Sequence, residues 1–196
     1  MTDTGKTRSK KGATQRERIH QVARQQLIEK GYDGLVLRSL AEHLGMTLGN
    51  LQYYFPSRES LVEAVVRREA ESDTSELKLL CEQGDGRQVD FERFVSHLVT
   101  KWRGDSGRIF GLLNYLSLHN DAFRAIYYEV YDQFYAALVD VIRCTNPALS
   151  EAESLLRARV VTALVDGAVL QLGQSGKRKF LREIARVARE TVMAGS

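Results

Sequence analysis

Proline kinks or ends a helix, because its ring fixes φ and it has no N–H to donate. Only two prolines, Pro56 and Pro147, interrupt these 196 residues, and long stretches between them lack glycine as well. Apolar residues recur there at helical spacing: Ile19, Val22, Ala23 and Leu27; Phe91, Phe94, Val95, Leu98, Val99 and Trp102; Phe123, Ile126, Tyr127, Val130, Phe134, Leu138 and Val141. No segment reads convincingly as a strand and no internal repeat is present. The pattern predicts an all-α chain of about nine helices.

Punctuation sets the expected bounds. Thr14 with Glu17 suits a capping box and Gly31 a stop, which predicts a first helix over 14–30. Two short helices follow, over 37–44 and 48–54, parted by Gly45-Met46-Thr47. Ser57 suits the cap of a helix over 58–81, and Gly84-Asp85-Gly86 a loop. Helices are then expected over 91–102, 109–119 and 121–144, with Gly104-Asp105-Ser106-Gly107 as a break. Ser150 suits the cap of a helix to 172, and Gly173 to Gly176 turn into a last helix over 177–193.

Composition excludes several classes. Hydrophobic residues make up 43% and charged residues 27%, enough apolar material for a folded core. The most apolar run, Val160 to Leu172, carries Asp166 and is too short to span a bilayer. The polar, basic N-terminus has no apolar segment behind it, so no signal peptide is expected. Cys81 and Cys144 have no C-x-x-C spacing and cannot build a disulfide framework. The expectation is a reduced, cytoplasmic chain without a membrane partner.

Net charge is only +3, but residues 1–55 hold nine Lys or Arg against five Asp or Glu. Lys6, Arg8, Lys10 and Lys11 place four cations in six residues. Such a segment is either a solvated tail or a flexible arm that reaches phosphate or a minor groove. The expected organisation is a basic arm over 1–13, a first domain over 14–60 and a second, larger one over 61–196.

The informative stretch is Leu37 to Tyr54. Two short helices meet at Gly45, which supplies a φ > 0 turn; Ala41 is small enough for close crossing, and Leu40, Leu44 and Leu51 form a shared core. This is the helix-turn-helix pattern, although an ordinary helical corner reads the same. The second helix presents Thr47, Asn50, Gln52 and Tyr53, an uncharged polar surface suited to base edges in a major groove. Asn and Gln can bond adenine bidentately, and Leu48 can touch a thymine methyl.

The run from Arg38-Ser39-Leu40-Ala41 through Tyr53-Tyr54-Phe55-Pro56-Ser57-Arg58-Glu59-Ser60-Leu61 resembles the N-terminal domain of TetR-type (tetracycline-repressor-like) bacterial transcription regulators. With the preceding helix and the Gly31-Tyr32 turn, the resemblance covers about Gln15 to Val66. It implies a base or backbone contact for Arg38 and recognition-helix positions for Thr47, Leu48, Gly49, Asn50, Gln52 and Tyr53. It implies nearby phosphate contacts for Tyr54 and Arg58. Phe55 reads as core. Gln52 departs from the Tyr common at its position, so an operator sequence cannot be borrowed from relatives. What the resemblance implies overall is a ligand-responsive regulator, a repressor released from a palindromic double-stranded operator by a small molecule. A DNA binder without a ligand is the alternative.

A single helix-turn-helix reads only a few base pairs, so a two-fold pair is expected. The last two helices are the expected pairing surface: Val160, Val161, Leu164, Val165, Ala168, Val169 and Leu172 cover more than one face, and Phe180, Ile184 and Val187 line the other helix. The resemblance implies a homodimer through a four-helix bundle and an effector cavity in the middle helices. Its candidate lining is Trp102, Phe110, Asn114, Tyr115, His119, Tyr127, Tyr131 and Phe134, aromatics with a few polar groups. Asp166 suits a counter-ion for a cationic ligand, but a structural or interface role is the stronger expectation. His97 and His119 lack metal-ligand spacing, and no metal or cofactor is expected. Gly173-x-x-Gly176-Lys177 lacks the spacing and the Ser or Thr of a phosphate loop, and no nucleophile elbow or zinc-protease motif occurs, so no enzyme is expected.

Overall fold

The structure is a computed structural model that describes residues 4–82, 90–172 and 177–194. Among them are nine helices and no strand: α1 (Thr4–Gly34), α2 (Leu37–His43), α3 (Leu48–Tyr54), α4 (Arg58–Glu82), α5 (Phe91–Trp102), α6 (Asp105–Ser117), α7 (Asp121–Thr145), α8 (Glu151–Gln171) and α9 (Lys177–Met193). The fold class is all-α, as the proline spacing predicts. The chain divides into two compact units between Arg68 and Glu69, inside α4 rather than at its start. The reason is visible in the first unit, whose core includes Leu61, Val62, Val65 and Val66 from the early turns of α4.

In the N-terminal unit, Ile19, Ala23 and Leu27 of α1 are buried, along with Leu35, Leu40, Ala41, Leu44, Leu51 and Phe55. Gly31 (φ 69°, ψ −169°) breaks the helical path near the end of α1, in the left-handed region that glycine alone enters freely. The helix begins at Thr4, ten residues earlier than the Thr14 cap predicts. Thr14 and Glu17 therefore lie inside it, and the Glu17 carboxylate pairs with Arg68 and accepts from Gln21 Nε2 at 2.9 Å. The stretch expected as an arm is helical from residue 4, and the side chains of Lys6, Arg8, Lys10 and Lys11 lie outside the described residues. The same holds for the Gly84-Asp85-Gly86 loop, the Gly173–Gly176 turn and the Cys81 side chain.

In the C-terminal unit, α5 packs on α8 and α9, α6 on α5 and α7, and α8 on α7 and α9. Their contact stripes form one core that includes Leu77, Phe91, Val95, Val99, Trp102, Phe134, Leu138, Val161, Val165 and Ala188. Three of the starts, those of α5, α7 and α8, carry side-chain caps. Asp90 accepts from Arg93 N–H, Asn120 from Ala122 and Phe123 N–H, and Ser150 forms a reciprocal capping box with Glu153. The Asn146 side chain donates to the Val192 carbonyl at 3.0 Å and holds the α7 end against α9.

One expectation is corrected here. The predicted break at 104–107 is shorter: α6 starts at Asp105, and Gly107 is a helical residue. A Cβ on Gly107 would stand 1.5 Å from the Trp102 carbonyl oxygen, so this glycine serves close backbone approach, not helix termination. On α9 the fully buried line is Ala185, Ala188 and Val192, while Phe180, Leu181, Ile184 and Val187 are half-buried. Small residues let α9 sit close to α5, leaving the larger ones on the flank.

Candidate functional site

The α2–turn–α3 segment is built by one glycine and one threonine. Gly45 (φ 67°) ends α2 in a Schellman motif, with Gly45 N–H bonded to the Glu42 carbonyl and Met46 N–H to the Ala41 carbonyl, both at 3.0 Å. Two residues on, the Thr47 hydroxyl accepts from Asn50 N–H at 3.2 Å and starts α3. Leu40, Ala41, Leu44 and Leu51 are sealed beneath, so the crossing of the two helices is fixed by packing.

What that crossing leaves outside is polar and neutral. Thr47, Gly49, Asn50 and Gln52 are exposed, Tyr53 is 83% exposed, and Leu48 is half-buried. No residue of α3 is charged. Cations flank it instead. Arg38 is exposed in the first turn of α2. Arg16 donates from Nη1 to the Tyr54 carbonyl at 3.2 Å and lies 4.5 Å over the Phe55 ring. Arg58, half-buried, stacks 3.8 Å over the Tyr32 ring, whose hydroxyl donates to Glu59 at 2.9 Å. Glu59 is held below the usual carboxylate range by its own backbone N–H, then by Tyr32 and Ser57. Tyr54 is half-buried, edge-on to Tyr53 at 5.3 Å, and Phe55 is buried as expected.

The second feature is a cavity of about 240 Å³ within the C-terminal unit. Trp102, Phe110, Asn114, Tyr131 and Phe134 line it, together with Gly107, Gly111, Val130 and Val169. Trp102 meets Phe134 at 5.1 Å and Phe110 at 6.0 Å, both tilted. Three expected lining residues are elsewhere. Tyr115 and His119 are exposed on the outer side of α6 and its exit, stacked on each other at 5.1 Å. Tyr127 is half-buried and reaches the cavity only by stacking 4.4 Å from Tyr131.

Two carboxylates also line the cavity. Asp73 is 3% exposed, accepts from Trp102 Nε1 at 2.9 Å and pairs with Lys101 Nζ at 2.7 Å. Burial pushes its pKa up, and Lys101 and Trp102 oppose that. Lys101 also pairs with Glu76, which in turn meets His97 at 2.5 Å. Asp166 is half-buried and accepts from Tyr131 Oη at 3.2 Å. Burial raises its pKa to about 6, against the lowering effect of the Tyr131 bond. Among the described residues no group of three or more His, Cys, Asp or Glu side chains is placed to hold a metal. No described helix is long and apolar enough to cross a membrane.

Residues 19–65 match the model of the bacterial regulatory proteins of the tetR family. The matched segment contains α2, the Gly45 turn and α3. No curated protein matches the chain in sequence. Solved structures share the fold along nearly its whole length. A candidate TetR-family regulator of Mesorhizobium loti is 17% identical at TM-score 0.76, covering 93% of this chain and 96% of its own. GusR of Salmonella enterica is 19% identical at TM-score 0.72, covering 91% and 93%. A candidate transcriptional regulator of Saccharomonospora viridis, solved with choline, is 19% identical at TM-score 0.69, covering 92% and 96%.

All nine expected DNA-contact residues fall within the tetR-matched segment, and Arg16 lies just outside it. The sequence offers a signal for Arg16 only through the turn-end aromatics it clamps. Asp73 was missed although Ala70, Asp73 and Leu77 share one face of α4, an acid in an apolar stripe. Asp166, expected as structural or interfacial, lines the cavity. It lies one turn beyond Thr162 on α8, on the flank of the side that buries Ala158 and Val161.

Proposed function

We propose that the protein is a DNA-binding transcription regulator, a repressor that leaves a palindromic operator when a small molecule occupies the cavity. The observation that carries this reading is the tetR-matched segment with a sealed core behind an uncharged reading helix flanked by arginines. Neutral amides suit base edges, whereas Arg38 and Arg58 suit phosphate, the usual division between specificity and positioning. The base-reading set is Thr47, Leu48, Gly49, Asn50, Gln52 and Tyr53, and Tyr54 adds a backbone contact. The chain acts as a homodimer through α8 and α9, so that two reading helices enter major grooves about 34–36 Å apart. Apolar side chains left open on α8 support that pairing: Leu156 is 63% and Val160 41% exposed.

A cavity with aromatic walls and few polar groups suits a small organic effector. Choline in the Saccharomonospora viridis relative supports an effector site in this fold. α4 carries Arg58 at one end and Asp73, a cavity residue, further along, and it is the element through which effector and operator are coupled. The coupling is of the order of 1–3 kcal/mol and reciprocal.

The test is fluorescence anisotropy with DNA from upstream of the protein's own gene and a scrambled duplex, at low and physiological salt. Binding that survives physiological salt only on the native DNA supports a sequence reader. Equal, steeply salt-sensitive binding to both duplexes removes self-regulation through that site, and equal behaviour across a genomic fragment library removes the reading altogether.

A further inference from the structure

The two cavity carboxylates are in different electrostatic positions. Asp73 is matched by the Lys101 ammonium and the Trp102 indole N–H. Asp166 has one neutral donor, Tyr131 Oη, and among the described residues no Lys, Arg or His is paired with it. An ionised carboxylate taken out of water needs a counter-charge or it neutralises. The walls around it are Trp102, Phe110, Tyr131 and Phe134, whose ring faces attract cations. An anion would meet two carboxylates, and a neutral ligand would leave Asp166 unmatched.

We infer that the cavity takes an organic cation, an amine or quaternary ammonium on an apolar body, with its positive centre at Asp166 and its body against the Trp102–Phe134 wall. This rests on the reading of the cavity as the effector site. Burial raises the pKa of Asp166 to about 6, and a cation beside it would draw that value down again, so cation binding and ionisation of Asp166 favour each other. Tyr131 then serves as a positioning residue, fixing the carboxylate rather than neutralising it.

The experiment is calorimetric titration of the full-length protein with three phenyl-bearing probes, the first two of one shape. These are benzyltrimethylammonium, its neutral analogue with carbon in place of nitrogen, and benzenesulfonate. The cation is expected to bind at least about tenfold tighter than the neutral analogue, with no binding of the anion. Asp166→Asn removes the preference and Asp166→Glu restores most of it, with circular dichroism confirming that both fold. Equal affinity for cation and neutral analogue, a preference for the sulfonate, or an unchanged preference in Asp166→Asn overturns the inference, as does failure of all three probes to bind. The effector reading is judged separately, by operator affinity with the cation present. Selective cation binding that leaves operator affinity unchanged removes the effector role and leaves the cation site standing.

Discussion

The two units bury their polar residues in opposite ways. In the N-terminal unit the helix crossing is solid: Leu40 and Leu51 are fully buried, and every polar residue of α3 points outward. In the C-terminal unit polar groups turn inward, and Asp73, Asp166 and Tyr131 line a space that no side chain fills. A reading surface must hold its donors and acceptors in fixed register, which a filled core provides. A sensing unit must leave room, and it gives up packing and solvation to do so.

The sharpest way to break that contrast is to cut matched holes in both units. Leu51→Ala removes a side chain with neighbours on every side, so it is expected to cost about 2–5 kcal/mol and to abolish operator binding. Phe110→Ala removes atoms that already face open space, and about 1–2 kcal/mol is expected. Chemical denaturation followed by circular dichroism gives both numbers. Equal costs would mean that the cavity wall is packed as tightly as the reading unit.

Next in size are the exposed amides. Asn50→Ala and Gln52→Ala are each expected to lose about 1–3 kcal/mol on the operator and almost nothing on scrambled DNA. Arg38→Ala, read as a phosphate contact, weakens both duplexes and lowers the salt slope by about one. A sequence-independent loss in the amide variants would reassign α3 from reading to mere docking.

The same contrast decides what could be read in advance. The reading unit is assembled from near neighbours: Gly45, Thr47 and the Leu40–Leu51 pairing all lie within a dozen residues, so periodicity and turn chemistry reveal them. The cavity is assembled from α4, α5, α6, α7 and α8, and which aromatic faces inward depends on helix rotation. Trp102, Phe110 and Phe134 fall on the inner side, whereas Tyr115, one residue past the cavity-lining Asn114 on α6, faces water. A rotation of one residue step, about 100° on a helix, separates those outcomes, and no local pattern fixes it. Gly107 shows the same limit: a glycine that ends a helix and one that admits a neighbouring carbonyl look alike until the neighbour is placed.

Gly45→Ala is the next smaller change. Its Cβ meets nothing, so the whole cost is the left-handed backbone at φ 67°, about 1–2 kcal/mol. Thermal melts should drop while cation binding in the other unit is unchanged. A neutral outcome would show that the turn relaxes, and the rigidity ascribed to the reading unit would lose its support.

The smallest effect has the opposite sign and tests the C-terminal half of the comparison. Asp166 titrates near pH 6 in the folded chain, well above an ordinary carboxyl group. The folded state therefore holds its proton more tightly than the unfolded state, so stability is lost as pH rises from about 4 through 6 and stays lower above that. Asp166→Asn has no such loss. The two proteins should melt together near pH 4 and separate through pH 6, with the variant higher by about 2–4 °C at pH 8. That corresponds to about 1 kcal/mol, after discounting the shift because the group is only half-buried. The other groups facing it do not confuse the window. Tyr131 and Tyr135 are pushed above their ordinary range by burial, and Asp73 is common to both proteins, so it cancels in the difference. Saturating benzyltrimethylammonium should then raise the wild type toward or past the variant at pH 8, because a bound cation supplies the charge that the empty cavity lacks. A variant that melts lower at every pH would mean that Asp166 is a structural anchor, and that the inward-facing acids belong to the scaffold.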